Sequence, residues 1–153
     1  MNIWNTDVLA KKLACDELDQ NQKTKYYIAC FYLQVVGTVL PMFLLGFSYS
    51  INVFTFASYL LTLILFHLGA MKVYRACANY KKASVLDTLV VLGLPICIKI
   101  QIVYWVTYFP ITMLFNSTNS PVIIWVFYGF SAMPIMVWAQ FYLIRRAVMR
   151  NYV

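Results

Sequence analysis

The sequence predicts an all-α integral membrane protein with four transmembrane helices and with both termini on the cytoplasmic side. Of its 153 residues, 63% are hydrophobic and only 11% are charged, whereas a soluble domain carries about 25% charged residues. Four apolar runs are long enough to cross a hydrocarbon core of about 30 Å. The basic residues lie at the ends of these runs, which is the pattern that sets the orientation of membrane proteins.

Composition also bounds the function. The net charge of +7 does not indicate nucleic-acid binding, because the basic residues form no patch with interleaved aromatic residues. The four cysteines show no CxxC spacing, and with a single histidine they match neither a zinc set nor a paired-thiol motif. The first apolar run begins at Tyr26, behind a charged segment, so we expect no cleavable signal peptide. We therefore expect no cofactor and no nucleic-acid partner.

We divide the chain into a cytoplasmic amphipathic leader (1–25), a four-helix transmembrane domain (26–144) and a basic cytoplasmic tail (145–153). Within the leader, Asn5 or Thr6 is suited to cap a helix, with Asp7 in its first turn. A thin apolar stripe follows at helical spacing. The leader has two interpretations: a membrane-surface helix that docks a partner, or a solvated segment that only sets orientation.

The first two spans are expected at Tyr26–Phe47 and Ile51–Met71. Because the loop between them is very short and uncharged, we expect them to form an antiparallel hairpin. Small and hydroxyl residues commonly face neighbouring helices in membranes. The predicted helix-contact face, which includes one glycine of the fourth span, consists of Gly37, Thr55, Ser58, Thr62 and Gly129. His67, about one turn from the basic end of the second span, is interpreted as interfacial.

The second basic block, Lys72 to Lys82, contains Arg75, Ala76 and Asn79. Over these few residues it resembles the Arg-Ala-x-x-Asn motif of the membrane-associated glutathione transferase and leukotriene synthase family. The family's acidic residue three positions after the asparagine is Lys82 here, and the motif follows the second span instead of preceding it. We therefore carry no glutathione site over to this chain.

The stretch from Ser84 to Phe115 is too long for one ordinary crossing, since its helix would measure about 48 Å. In one interpretation, a span from Leu86 to Tyr108 buries Lys99, which then needs an internal partner. In the other, Ser84–Leu94 is an interfacial helix that ends at Pro95, and Asp87 and Thr88 face water. The span is then Ile96–Phe115, and Lys99 snorkels to the cytoplasmic headgroups. In the first interpretation Asp87 cannot pair directly with Lys99, because about 18 Å of straight helix separates them.

The fourth span is expected at Val122–Ile144, and a basic tail follows it. By the positive-inside rule, the leader, the middle loop and this tail are cytoplasmic. The residues that we assign as topology anchors are Lys72, Arg75, Lys81, Lys82, Arg145, Arg146 and Arg150.

No nucleophile-plus-base set can be assembled around the lone histidine, so the sequence favours a non-enzymatic protein of a bacterial inner membrane. We expect contacts with the lipid bilayer and with a membrane protein partner or a second copy. Such a protein would act as an accessory subunit, or as an immunity-type protein against a membrane-inserting toxin. The alternative is an oligomeric transporter or channel that uses an intramembrane polar site. The candidates for that site are Lys99, Gln101, Gln34 and His67. A third reading, an enzyme acting on a lipid-soluble substrate, would use Arg75, Asn79, Lys99 and His67.

Overall fold

The computed structural model describes residues 4–45, 53–80, 84–117 and 122–152, and these residues form an all-helical structure. The described residues contain five helices: α1 (Thr6–Ala14), α2 (Gln20–Leu45), α3 (Val53–Tyr80), α4 (Val85–Ser117) and α5 (Val122–Asn151). The predicted helix in the leader is confirmed as α1. Its N-cap is Asn5, whose side chain accepts a hydrogen bond of 3.2 Å from the backbone N–H of Val8.

Among the described residues, two helical stretches are long and apolar enough to cross a membrane: Phe56–Ala78 in α3 and Val85–Tyr108 in α4. A core helix of a soluble protein passes the same test of length and composition, but it is mostly buried. Here only 17% and 33% of the residues in the most apolar part of the two stretches are buried within the protein. The exposed apolar surface of α3 and α4 is therefore suited to a lipid environment.

α5 is the helix on which α3 and α4 assemble. Ser58 in α3 donates a hydrogen bond of 2.9 Å to the carbonyl of Phe130, and further along Gly69 lies against Phe141. In each pair the two residues are 72 positions apart in the sequence, so α3 and α5 run parallel. α4 runs antiparallel to α5, because Thr88 lies beside Tyr152 whereas Tyr108 lies beside Tyr128.

α2 packs against α4. It begins beside the start of α4, where Tyr27 hydrogen-bonds to Asp87. α3 has its largest contact surface with α5. The loop on which the expected hairpin between the first two spans depends lies outside the described residues.

α4 is one continuous helix of 33 residues, and it passes through Pro95 without ending there. The interpretation in which Ser84–Leu94 forms a separate helix is therefore wrong. Proline removes one backbone hydrogen bond and crowds the preceding turn. At this position its ring is buried, and the flanking Leu94 and Ile96 are also buried, so packing on both sides of the proline holds the helix together.

The hydrophobic core lies at one end of the bundle. There the side chains of α1 pack between the start of α4 and the end of α5, and the last turns of α3 close the cluster. Its buried members are Leu9, Ala10, Leu13, Ala14, Leu18, Tyr26, Val73, Ala76, Cys77, Val91, Leu92, Leu94, Ile96, Phe141, Ile144, Ala147, Val148 and Tyr152. We call this region the packed end. The leader is therefore part of the folded core, and neither interpretation drawn from its sequence describes that packing.

Candidate functional site

Lys99 is directed toward the packed end. Helical side chains lean toward the N-terminus of their own helix, and the N-terminus of α4 lies at that end. The amine of Lys99 donates a hydrogen bond of 2.8 Å to the backbone carbonyl of Trp4. Lys99 thus has a partner that neither interpretation named, a main-chain oxygen of the leader. Its side chain reaches this oxygen by leaning back along α4, as a snorkelling lysine does.

An open cleft of about 250 Å³ surrounds this lysine between α1, α4 and α5. We call it the basic cleft. The residues that line it are Thr6, Asp7, Ile96, Lys99, Leu143, Arg146, Ala147 and Arg150. Three of these are basic and one is acidic. The acid, Asp7, lies 4.0 Å from Arg150 and accepts a hydrogen bond of 3.4 Å from Asn151.

α5 supplies both arginines of the basic cleft because they share one of its faces. Leu143, Arg146, Ala147 and Arg150 follow the spacing i, i+3, i+4 and i+7 that puts residues on one side of a helix. Within this set Ala147 is buried against the packed end, whereas both arginines are exposed. The apolar members of the face fix the helix, and the arginine side chains extend from it to the rim of the cleft.

A second groove lies on the opposite side of α5, against α3. Its volume is about 90 Å³, and it is lined by Leu65, Leu68, Gly69, Lys72, Trp138, Phe141, Tyr142 and Arg145. The rings of Trp138 and Tyr142 stack at a centroid distance of 5.5 Å. Lys72 and Arg145, two of the predicted topology anchors, therefore lie at the same level on neighbouring parallel helices.

Asp87, one of the two charges inside the apolar stretch, belongs to a polar cluster at the packed end. It accepts a hydrogen bond of 2.9 Å from the hydroxyl of Tyr27 and lies 3.3 Å from the amine of Lys23. Lys23 also donates to Asp16 at 3.2 Å. The hydrogen bond to Asp16, followed by that to Asp87, raises the pKa of the Lys23 amine above its usual value, although burial opposes the rise.

Thr88 is fully buried, so the expectation that Thr88 faces water is wrong. The side chain of Asp87 is 21% exposed. The Thr88 hydroxyl donates to the carbonyl of Ser84 at 2.9 Å, and it lies 3.1 Å from the hydroxyl of Tyr152. Either hydroxyl can be the donor in the second bond. This bond ties the residue after α5 to the first turn of α4.

The remaining candidate residues are spread over the bundle. Gln101 is partly exposed on α4, and His67 and Arg75 are exposed on α3. The hydroxyl of Ser58 bonds to a carbonyl of α5, and the hydroxyl of Thr62 bonds to the carbonyl of Ser58 in its own helix. No hydrogen bond in the described parts of the chain joins Lys99 to Gln101 or His67.

Several predicted positions lie outside the described residues or have side chains outside them. These are Gln34, Gly37, Thr55, Asn79, Lys81, Lys82 and Gly129. Conversely, sequence reasoning did not identify Trp4, Tyr27, Thr88 and Tyr152 as polar contacts of the packed end. Each of these contacts joins residues at least 60 positions apart, and no local pattern carries such a signal.

No family model, no curated protein and no solved structure matches this chain.

Proposed function

We propose that this protein crosses a bacterial inner membrane four times, with both termini on the cytoplasmic side, and acts without catalysis by binding another membrane protein. In this assignment the packed end faces the cytoplasm. The topology is supported by the position of the basic residues along the bundle axis. Lys72 and Arg145 line one groove near the packed end, and Lys99, Arg146 and Arg150 line the basic cleft. Positive charge collected at one level marks the cytoplasmic boundary of a membrane protein.

The observation that carries the binding role is the exposed aromatic surface of α2, a helix of 26 residues that packs against α4. Phe31 and Tyr32 are about two-thirds exposed. Membrane helices associate through close van der Waals packing and through polar side chains at the contact. The sequence of α2 supplies both kinds of residue, since it contains Gly37 and Gln34. An accessory subunit or an immunity-type protein would use this face for a helix of its partner.

The transporter alternative is less well supported. It requires the amine of Lys99 to face a path between protomers, together with Gln101 and Gln34. The hydrogen bond from Lys99 to Trp4 weighs against that arrangement, because it directs the amine to the leader. Flux in vesicles that contain the wild-type protein, and its loss in Lys99→Ala, would restore this alternative.

Photo-crosslinking in native membranes tests the binding role. A photoreactive amino acid replaces Phe31 on α2, and a matched variant carries it at Leu63, which is equally exposed on α3. We expect a discrete adduct with a second protein from position 31 and none from position 63. An adduct of twice the mass of this chain would show that the partner is a second copy of the chain and not a different protein. No adduct from position 31 would refute the proposal.

A further inference from the structure

We propose that the basic cleft binds the phosphate headgroup of an anionic phospholipid from the leaflet that faces the packed end. This inference rests on the proposed membrane orientation. It adds a ligand of defined chemistry to the end of the bundle where α1, α4 and α5 meet, away from the α2 face that we assign to a protein partner.

The first argument is the charge of the cleft. Lys99, Arg146 and Arg150 converge on it, and Asp7 is its single acidic residue. Asp7 neutralises little of this charge, because its contact with Arg150 is 4.0 Å long and both side chains are more than half exposed. Arg146 takes part in no ion pair within the described part of the chain. Guanidinium groups are well suited to phosphate, since they donate two parallel hydrogen bonds to its oxygens.

The second argument is the apolar part of the lining. Ile96, Leu143 and Ala147 form the sides of the cleft between the charged groups. A free inorganic phosphate presents oxygen in every direction and gains nothing from such surfaces. A phospholipid carries glycerol and acyl carbons next to its phosphate, and these carbons can cover Leu143, which is the exposed member of the three. The mixed lining therefore favours a lipid over a soluble anion.

The third argument is the position of the cleft along the bundle. It lies where the buried core ends and the exposed apolar surface of α4 begins, at Ile102 and Val103. Its volume of about 250 Å³ is below the usual range for a site that encloses a whole small molecule, about 300–1,000 Å³. A headgroup fits within it, and the acyl chains would continue outside along α4. The site therefore requires a ligand with a charged head and a long apolar tail.

Native mass spectrometry of the full-length, detergent-purified protein tests this inference. Dioleoylphosphatidylglycerol is the anionic probe, and dioleoylphosphatidylcholine is the zwitterionic control. We expect the wild type to retain the anionic lipid preferentially. Arg146→Gln should weaken that retention about fivefold, the effect of one basic residue near anionic lipid. The matched control is Arg145→Gln, which removes the same charge one residue away, on the α3 side of α5, and should change retention little.

Three results would overturn the inference. Equal losses in Arg145→Gln and Arg146→Gln would mean diffuse surface electrostatics, and equal retention of both lipids by the wild type would mean no anionic preference. Full displacement of the lipid by inorganic phosphate would assign the cleft to a soluble anion.

If Arg146→Gln fails to fold, Arg150→Gln carries the same expectation. Alkaline carbonate extraction of the membranes from which the protein is purified separates the two proposals. Extraction of the wild type would refute its membrane insertion, whereas an inserted protein without lipid preference would refute only the assignment of the cleft.

Discussion

The amine of Lys99 hydrogen-bonds to the backbone carbonyl of Trp4, which lies 95 positions earlier in the chain. This contact links the one lysine inside the long apolar stretch to the segment that precedes α1. It also places the charge at the boundary between the packed end and the exposed apolar surface, so that the lysine needs no partner deeper in the bundle.

The depth of position 99 is the first prediction. In a variant without native cysteines, Lys99→Cys should react with a membrane-impermeant thiol reagent only from the cytoplasmic side of sealed vesicles, because the basic cleft is open. Val103→Cys, one turn further along α4 on its exposed apolar surface, is the control and should be protected from both sides. Protection of position 99 from both sides would instead mean a lysine buried within the membrane.

The packing of the leader gives the second prediction. Leu13 is 1% exposed in the core, whereas Val8 on the same helix is 39% exposed. Leu13→Ala should lower the free energy of unfolding by about 2–5 kcal/mol, the usual cost of such a cavity. Val8→Ala should change it by less than about 1 kcal/mol. Thermal unfolding in detergent measures both. Similar unfolding temperatures for the two variants would show that α1 is not part of the core.

The close approach of α3 to α5 gives the third prediction. A Cβ added at Gly69 would overlap the ring of Phe141, whereas one added at Gly93 would meet Gln140 at an ordinary 3.8 Å. Gly69→Ala should therefore destabilise the bundle by about 1–3 kcal/mol through overpacking. Gly93→Ala should be neutral or slightly stabilising, because alanine favours helix more than glycine does. If Gly69→Ala leaves the unfolding temperature unchanged, the parallel pairing of α3 and α5 is in doubt.

The buried hydroxyl of Tyr152 gives the fourth prediction, a dependence of stability on pH. Burial raises the pKa of Tyr152 from 10.0 to about 12, and the hydrogen bond with Thr88 opposes this rise. The neutral phenol is thus favoured in the folded state. Its contribution to stability should be complete below about pH 10 and should be lost as the pH rises toward about 12.

Tyr152→Phe supplies the comparison for this pH dependence, because it keeps the ring and removes the titrating group. The difference in unfolding temperature between wild type and Tyr152→Phe should narrow as the pH rises from about 10 to about 12. A constant difference across this interval would mean that the hydroxyl is accessible to water in the folded protein.

Much of the secondary structure could be predicted because its signals are local. The apolar runs predicted helices near the positions where α2, α3 and α5 lie, and Asn5 was one of two predicted caps for α1. The interpretation of Ser84–Leu94 as a separate interfacial helix was wrong because an apolar segment beside a basic block has two physical explanations. Contact with an interface and burial in a core produce the same composition, and only the side chains packed around Leu92 and Leu94 distinguish them.

The sequence by itself determined that the chain is helical, that its exposed surface is largely apolar and that its basic residues gather at the ends of the apolar runs. These properties depend on hydropathy and on spacing within one turn of helix. The tertiary structure decided that α3 pairs with α5, that Asp87 bonds to Tyr27 and that Lys99 reaches Trp4. Those outcomes depend on which helical surfaces fit each other over many residues. Residue patterns within a few helical turns do not reveal that fit.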